Sequence, residues 1–135
     1  MDMLIEFPGG RRVSARYNGH TISTDQRGVG GGSGQHPTPT ELFLASIGTC
    51  AGLYALRFCE NRRIDPKNLA VALSFNTHPE THVVEKVSVH IELPPDFPEK
   101  CRPALVKAVN LCHVKKHLEK PPEFEVLVRE YPSQT

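Results

Sequence analysis

Residues 42–56, LFLASIGTCAGLYAL, hold no charged side chain, and polar segments flank them on both sides. At 3.6 residues per turn, the apolar and small side chains fall on every side of a helix. A helix that is apolar all round must be covered, by its own domain or by a partner. The run is shorter than the roughly 20 apolar residues a membrane span needs. The expectation is therefore a wrapped helix with a thiol, Cys50, near its middle. Gly48 and Gly52 lie one turn apart beside that thiol, and each weakens a helix relative to alanine. The pair is either simply tolerated or lets another backbone come close.

The start of this helix is written in Pro37-Thr38-Pro39-Thr40-Glu41. Thr38 can be the N-cap, Pro39 the first helical residue and Glu41 the third, a capping box with proline at its favoured place. Asp65-Pro66 should stop the helix near Arg63. Arg62 and Arg63 then suit its last turn, where cations meet the negative end of the dipole.

Before the helix, residues 3–7 read as a strand closed by Pro8-Gly9-Gly10. Residues 11–17 and 20–24 read as two arms of a hairpin joined by Asn18-Gly19, the strongest short turn signal. Residues 28–34, GVGGGSG, match neither a Walker loop nor G-x-G-x-x-G. They are either a mobile loop or a backbone that approaches a neighbouring chain or ligand closely. After the helix, residues 69–75 and 83–93 alternate as strands. Residues 98–112 read as an amphipathic helix, with Leu105, Ala108, Val109 and Cys112 on its apolar side. A short helix over 113–119 and a last strand over 124–128 follow. The predicted class is α+β with a mainly antiparallel sheet. It is one domain over 1–135: strands in 1–27, a glycine-rich loop in 28–36, the central helix in 37–64, and strands, two helices and a final strand in 65–135.

The chain's 135 residues suffice for one core, and a net charge of +1 gives no reason to expect nucleic acid or an anionic membrane as partner. Met1-Asp2-Met3-Leu4 lacks the basic start and apolar run of a signal peptide, so a cytoplasmic location is expected. Thiols stay reduced there, which suits four cysteines to catalysis, metal binding or inert burial rather than to permanent disulfides.

Among these thiols Cys50 lies three turns into the helix, beyond reach of the dipole. A reactive Cys50 therefore needs a cation, an arginine above all, brought within a few ångströms. Cys112 precedes the basic segment His113-Val114-Lys115-Lys116-His117, whose charges can favour a thiolate; it can equally be a core residue. Cys59 faces away from Cys50, and Cys101 has no evident partner, so both read as structural. Cys112, His113 and His117 have a spacing zinc can use, a weaker alternative.

The glycine-rich segment 28–34, then Pro39-Thr40-Glu41-Leu42-Phe43, then a small and apolar run ending in Cys50, and the late Cys112-His113-Val114, together resemble the OsmC/Ohr family (osmotically inducible protein C and organic hydroperoxide resistance). The order of elements matches over nearly the whole chain. The resemblance implies an intertwined homodimer in which antiparallel sheets wrap long central helices. It implies a thiol peroxidase, with Cys50 attacking a hydroperoxide and Cys112 closing an intramolecular disulfide. A dithiol or lipoyl donor reopens the disulfide, and no metal or flavin cofactor is needed. Arg11, in a Gly9-Gly10-Arg11 turn like the family's, and Glu41 are the residues expected to order Cys50; Arg12, Arg16 and Arg27 are alternatives to Arg11. The organic-hydroperoxide branch has glutamate directly after the helix-start proline, where this chain has Thr40 and Glu41 follows. Phe43 and Leu53 near Cys50 favour lipophilic peroxides. The rival expectation is a non-catalytic member that binds a small apolar ligand in the dimer cleft.

Overall fold

The computed structural model describes residues 2–130, so Met1 and 131–135, the ends of the expected 1–27 and 65–135 segments, lie outside it. Three strands, β1 (Leu4–Gly9), β2 (Arg12–Tyr17) and β3 (His20–Thr24), form an antiparallel sheet in the order β1-β2-β3. The β2–β3 turn is the expected one: Asn18 and Gly19 both have positive φ, 49° and 79°. That pair of signs matches the right-handed strand twist. The central helix α1 spans Pro39–Asn61, followed by a two-stranded antiparallel sheet of β4 (Ala70–Thr77) and β5 (Val84–Glu92). Two short helices, α2 (Arg102–Val109) and α3 (His113–Glu119), complete the elements.

The ends of α1 refine the sequence reading. Thr38 caps it, its hydroxyl accepting the Glu41 amide at 3.2 Å. The reciprocal half of the capping box does not form, because the Glu41 carboxylate binds Arg27 instead. At the other end Arg62 is the C-cap rather than a last-turn residue, and its guanidinium lies 3.9 Å from the Phe58 ring centroid. Arg63 follows with φ 55°. The Ile64 amide reaches back to the Cys59 carbonyl at 2.8 Å, and the Arg63 amide to Glu60 at 3.2 Å. This is a Schellman ending with arginine where glycine is usual.

The core forms where α1 meets α2, β4, β5 and α3. Ala51, Ala55, Phe58 and Cys59 of α1 pack with Phe97, Leu105 and Val109, and the Phe58 and Phe97 rings stack with centroids 6.3 Å apart. Gly48 and Gly52 meet no close backbone within the chain; a Cβ on Gly52 would only touch Val71. The whole of α1, 23 residues, is long and apolar enough by length and composition to cross a membrane, more than the 42–56 run alone suggests. Its packing against four other elements makes it a core helix.

Two expectations need correction. The helix expected over 98–112 is a 3-10 turn, Glu99–Cys101, followed by the shorter α2, and the chain turns at Asn110 and Leu111. Cys112 therefore begins α3 as its N-cap instead of ending α2. The segment 124–128, expected as a last strand, pairs with no strand among the described residues and leaves Phe124, Val126 and Val128 almost fully exposed.

The chain exposes 11,006 Å². A compact monomer of 15.0 kDa exposes about 7,000 Å². Large apolar side chains contribute to that surface: Leu4, Ile5 and Phe7 of β1, Phe43 and Leu53 of α1, Phe75 of β4, and Phe124, Val126, Leu127 and Val128.

Candidate active site

The loop between β3 and α1 is built around one buried carboxylate. Asp25 is 1% exposed. It accepts the Gln26 amide at 2.7 Å, the Ser33 amide at 3.3 Å and the Ser33 hydroxyl. The Ser33 hydroxyl, then the Gln26 amide, hold its carboxyl below the ordinary value, outweighing desolvation. The glycines serve this wrapping. A Cβ on Gly32 would lie 2.0 Å from the Gln26 carbonyl oxygen and 2.5 Å from the Asp25 carboxylate. At Gly32 the backbone of this cradle approaches its own chain closely, while Gly28, Val29 and Gly34 of the same segment face open space. The Asp25 amide also binds the Pro37 carbonyl at 3.1 Å, which fixes the start of α1.

Cys50 and Cys112 come from different elements and meet. Cys50 is half-buried on α1, Cys112 is 2% exposed at the N-terminus of α3, and all four cysteines are free thiols. Their side chains are close enough for each thiol to act on the other's ionisation. For Cys50, burial pushes the thiol up. The Cys112 thiol, the Val114 and His113 amides and the Arg57 charge together outweigh it, and the net direction is down. For Cys112, burial and the bond to Cys50 push the thiol up, against the Lys115 and Val114 amides. The directions are complementary: of the two thiols, Cys50 is the one made easier to ionise and Cys112 the one made harder. Cys59, fully buried, is pushed up by desolvation alone.

The other expected residues lie elsewhere within the chain. Arg11 sits in the β1–β2 turn, its Nε beside Gly31 of the cradle. Glu41 accepts Arg27 Nη2 at 2.5 Å near the start of α1. Neither is among the groups that act on Cys50, whose cation in this chain is Arg57. Arg57 was legible: seven residues after Cys50, it falls on the same helix face. Asp25 was not, since an aspartate eight residues before a serine is no recognisable motif. Cys112, His113 and His117 do not assemble as metal ligands. His117 Nδ1 donates to the His113 carbonyl at 2.8 Å, and among the described residues no cluster of three ligating side chains occurs.

An apolar cavity of about 450 Å³ opens beside the pair, with Cys112 in its wall. Ile47, Ala51, Val87, Val89 and Leu118 line it, and Lys115 and Glu119 stand at the polar side. Such a site can hold the apolar body of a small molecule while polar groups orient it.

The family model described as OsmC-like protein matches residues 31–127. Among solved structures, an osmotic stress induced and detoxification response protein from Psychrobacter arcticus 273-4 has a TM-score of 0.74 at 20% identity, covering 84% of this chain and 85% of that one. An OsmC like protein from Mycoplasma pneumoniae has a TM-score of 0.69 at 11% identity, covering 89% and 87%. A Legionella pneumophila protein described as an organic hydroperoxide resistance protein OsmC has a TM-score of 0.57 at 17% identity, covering 87% and 89%. At these identities the likeness establishes a shared fold. No curated protein matches the chain in sequence.

Proposed function

The chain belongs to the OsmC-like protein family, and on that premise we propose that it is a cysteine-based hydroperoxide reductase. The observation that carries this reading is the meeting of Cys50 and Cys112, with the first thiol favoured as anion and the second as acid. The Cys50 thiolate attacks the distal oxygen of a hydroperoxide. An S–O bond forms as the O–O bond breaks, and the departing alkoxide takes a proton from solvent to become the alcohol. The distal oxygen keeps its hydrogen, so Cys50 becomes a sulfenic acid. Cys112 sulfur then attacks the Cys50 sulfur, water leaves, and a disulfide joins the two. A dithiol donor, a lipoyl group among them, reduces it and is itself oxidised to a disulfide. The apolar cavity and the exposed Phe43 and Leu53 favour lipophilic peroxides over hydrogen peroxide.

The working unit in this reading is a homodimer in the cytoplasm. The surface excess and the uncovered apolar face of α1 support a second copy. Arg11 and the Arg27–Glu41 pair would serve Cys50 only across that interface.

The test is consumption of cumene hydroperoxide by the reduced protein with dihydrolipoamide as donor. The reading predicts turnover in wild type and none in Cys50→Ser. Wild type that ignores the peroxide, with Cys50 alkylating no faster than a free thiol, would replace it with a non-catalytic ligand-binding member using the apolar cavity.

A further inference from the structure

The apolar cavity beside the two thiols has a continuation. A second cavity of about 390 Å³ adjoins it at Val89, Val109 and Asn110 and extends between β5 and α2 to Leu93 and Arg102. Arg102, held by Glu99 at 2.9 Å, borders the far part. Lys115, held by Asn110 at 3.0 Å, borders the near part. The wall between these cations is mostly aliphatic. Of the two thiols that meet, Cys112 stands in this wall and Cys50 does not.

That asymmetry bears on the half-reaction that reopens the disulfide. Which sulfur of a disulfide a thiolate attacks depends on access and on which thiol leaves more easily. Cys50 is the more exposed of the pair, so a small polar thiol has a path to it from water. A donor with an aliphatic body is held by apolar walls instead, and these walls give onto Cys112. The peroxide and the donor react in turn, so a cavity that has admitted a lipophilic peroxide is free again when the donor arrives.

Resting on the peroxidase reading, we infer that the dithiol donor lies in this cavity with its aliphatic chain and attacks the Cys112 sulfur of the disulfide, expelling Cys50. A bond forms between the donor sulfur and Cys112 as the Cys50–Cys112 bond breaks, and its electron pair leaves on Cys50 as a thiolate. The donor's second thiol then gives up its proton and attacks the donor sulfur of the mixed disulfide. The donor closes on itself as a disulfide, and Cys112 departs and takes a proton. Two electrons pass from donor to protein, and Cys50 emerges in the form that attacks the next peroxide. The order of departure suits the pair, because Cys50 is the thiol made easier to ionise and hence the better leaving group.

The experiment uses the full chain oxidised with diamide, so that no peroxide is needed. Two monothiols that stop at the mixed disulfide are added: mercaptooctanamide with its thiol at the chain end, and β-mercaptoethanol. Samples are quenched in acid early in the reaction, and peptic peptide mass spectrometry reads which cysteine carries the adduct. The aliphatic thiol should be found on Cys112 over Cys50 by about tenfold. Val87→Phe, checked for an unchanged melting temperature, places a larger side chain in the cavity wall. It should slow reduction by dihydrolipoamide about tenfold and leave reduction by β-mercaptoethanol nearly unchanged. An aliphatic adduct on Cys50 or spread equally over both, or no Cys50–Cys112 disulfide under diamide, overturns the inference. So does a Val87→Phe protein that slows both reductants alike. A protein inert to hydroperoxides whose disulfide still opens at Cys112 loses the peroxidase reading alone; an active one that opens at Cys50 loses this inference alone.

Discussion

Cys50 of α1 and Cys112 of α3 are neighbours close enough for each thiol to shift the other's ionisation, across two elements that lie far apart in sequence. The influence is unequal: burial and its neighbour push the Cys112 thiol up, while Cys50 is the sulfur whose ionisation is shifted down. In the proposed peroxidase reading, this contact sets a nucleophile beside the thiol that would later trap it.

The first prediction concerns the order in which the thiols react. Cys50 has its ionisation lowered from 9.0, so its anion persists to a pH where a free cysteine is still protonated. Alkylation of Cys50 should level off at lower pH than a free thiol, while Cys59 and Cys112 lag because burial raises both. In Cys112→Ala the neighbouring thiol that lowers Cys50 is gone, and the Cys50 profile should move to higher pH. The rate at pH 7 should fall about threefold to tenfold. An unshifted profile would mean the contact has no influence on the sulfur.

The glycine cradle supplies the second. Gly32→Ala forces a Cβ into the Gln26 carbonyl and the Asp25 carboxylate, both backbone-fixed or buried. The loss of stability should be about 2–4 kcal/mol by chemical denaturation. Gly28→Ala, where a Cβ meets nothing, should cost far less. Equal losses would show that the cradle is not packed as described.

Acid provides the third. Asp25 ionises below its ordinary 3.8 in the folded chain. Its contribution is complete above that value and disappears as pH falls through the lower folded one. Wild type should therefore lose stability below about pH 4, and Asp25→Asn should show a shallower acid limb from a lower starting stability. The same slope in both proteins would assign the acid transition to other groups.

Much of this fold was legible in the sequence, and the failures have physical causes. The Asn18-Gly19 hairpin and the Thr38-Pro39 helix start formed as read, because turn chemistry and capping are local. Glu41 left its capping role for Arg27, a contact with a residue fourteen positions earlier that no local rule contains. Cys112 moved from the end of one helix to the start of the next because the chain turns at Asn110 and Leu111, and that move gives Cys50 its amide neighbours. The pairing of Cys50 with Cys112 entered by family resemblance, since sequence spacing cannot say which elements pack together. The 124–128 segment has the alternation of a strand, but alternation records only that one face wants covering and not which chain covers it.

That uncovered surface gives the fourth prediction. The excess over a compact monomer, about 4,000 Å² per chain, is ample for an obligate dimer, whose interface totals about 2,000–5,000 Å² over both partners. Light scattering at micromolar concentration should give twice the 15.0 kDa chain mass. Leu53→Asp on α1 and Val126→Asp in the C-terminal segment should each shift the protein toward monomer or aggregate. A stable monomer in wild type would require another occupant for the exposed face.

The measurement that reaches the central claim most directly is a count of thiols after one equivalent of cumene hydroperoxide, with the disulfide mapped by mass spectrometry. The account predicts that wild type loses two thiols per peroxide and gains a Cys50–Cys112 bridge. It predicts that Cys112→Ser stops at an oxidised Cys50 and that Cys50→Ser loses none. A wild-type protein that keeps all four thiols, or joins a different pair, would contradict it.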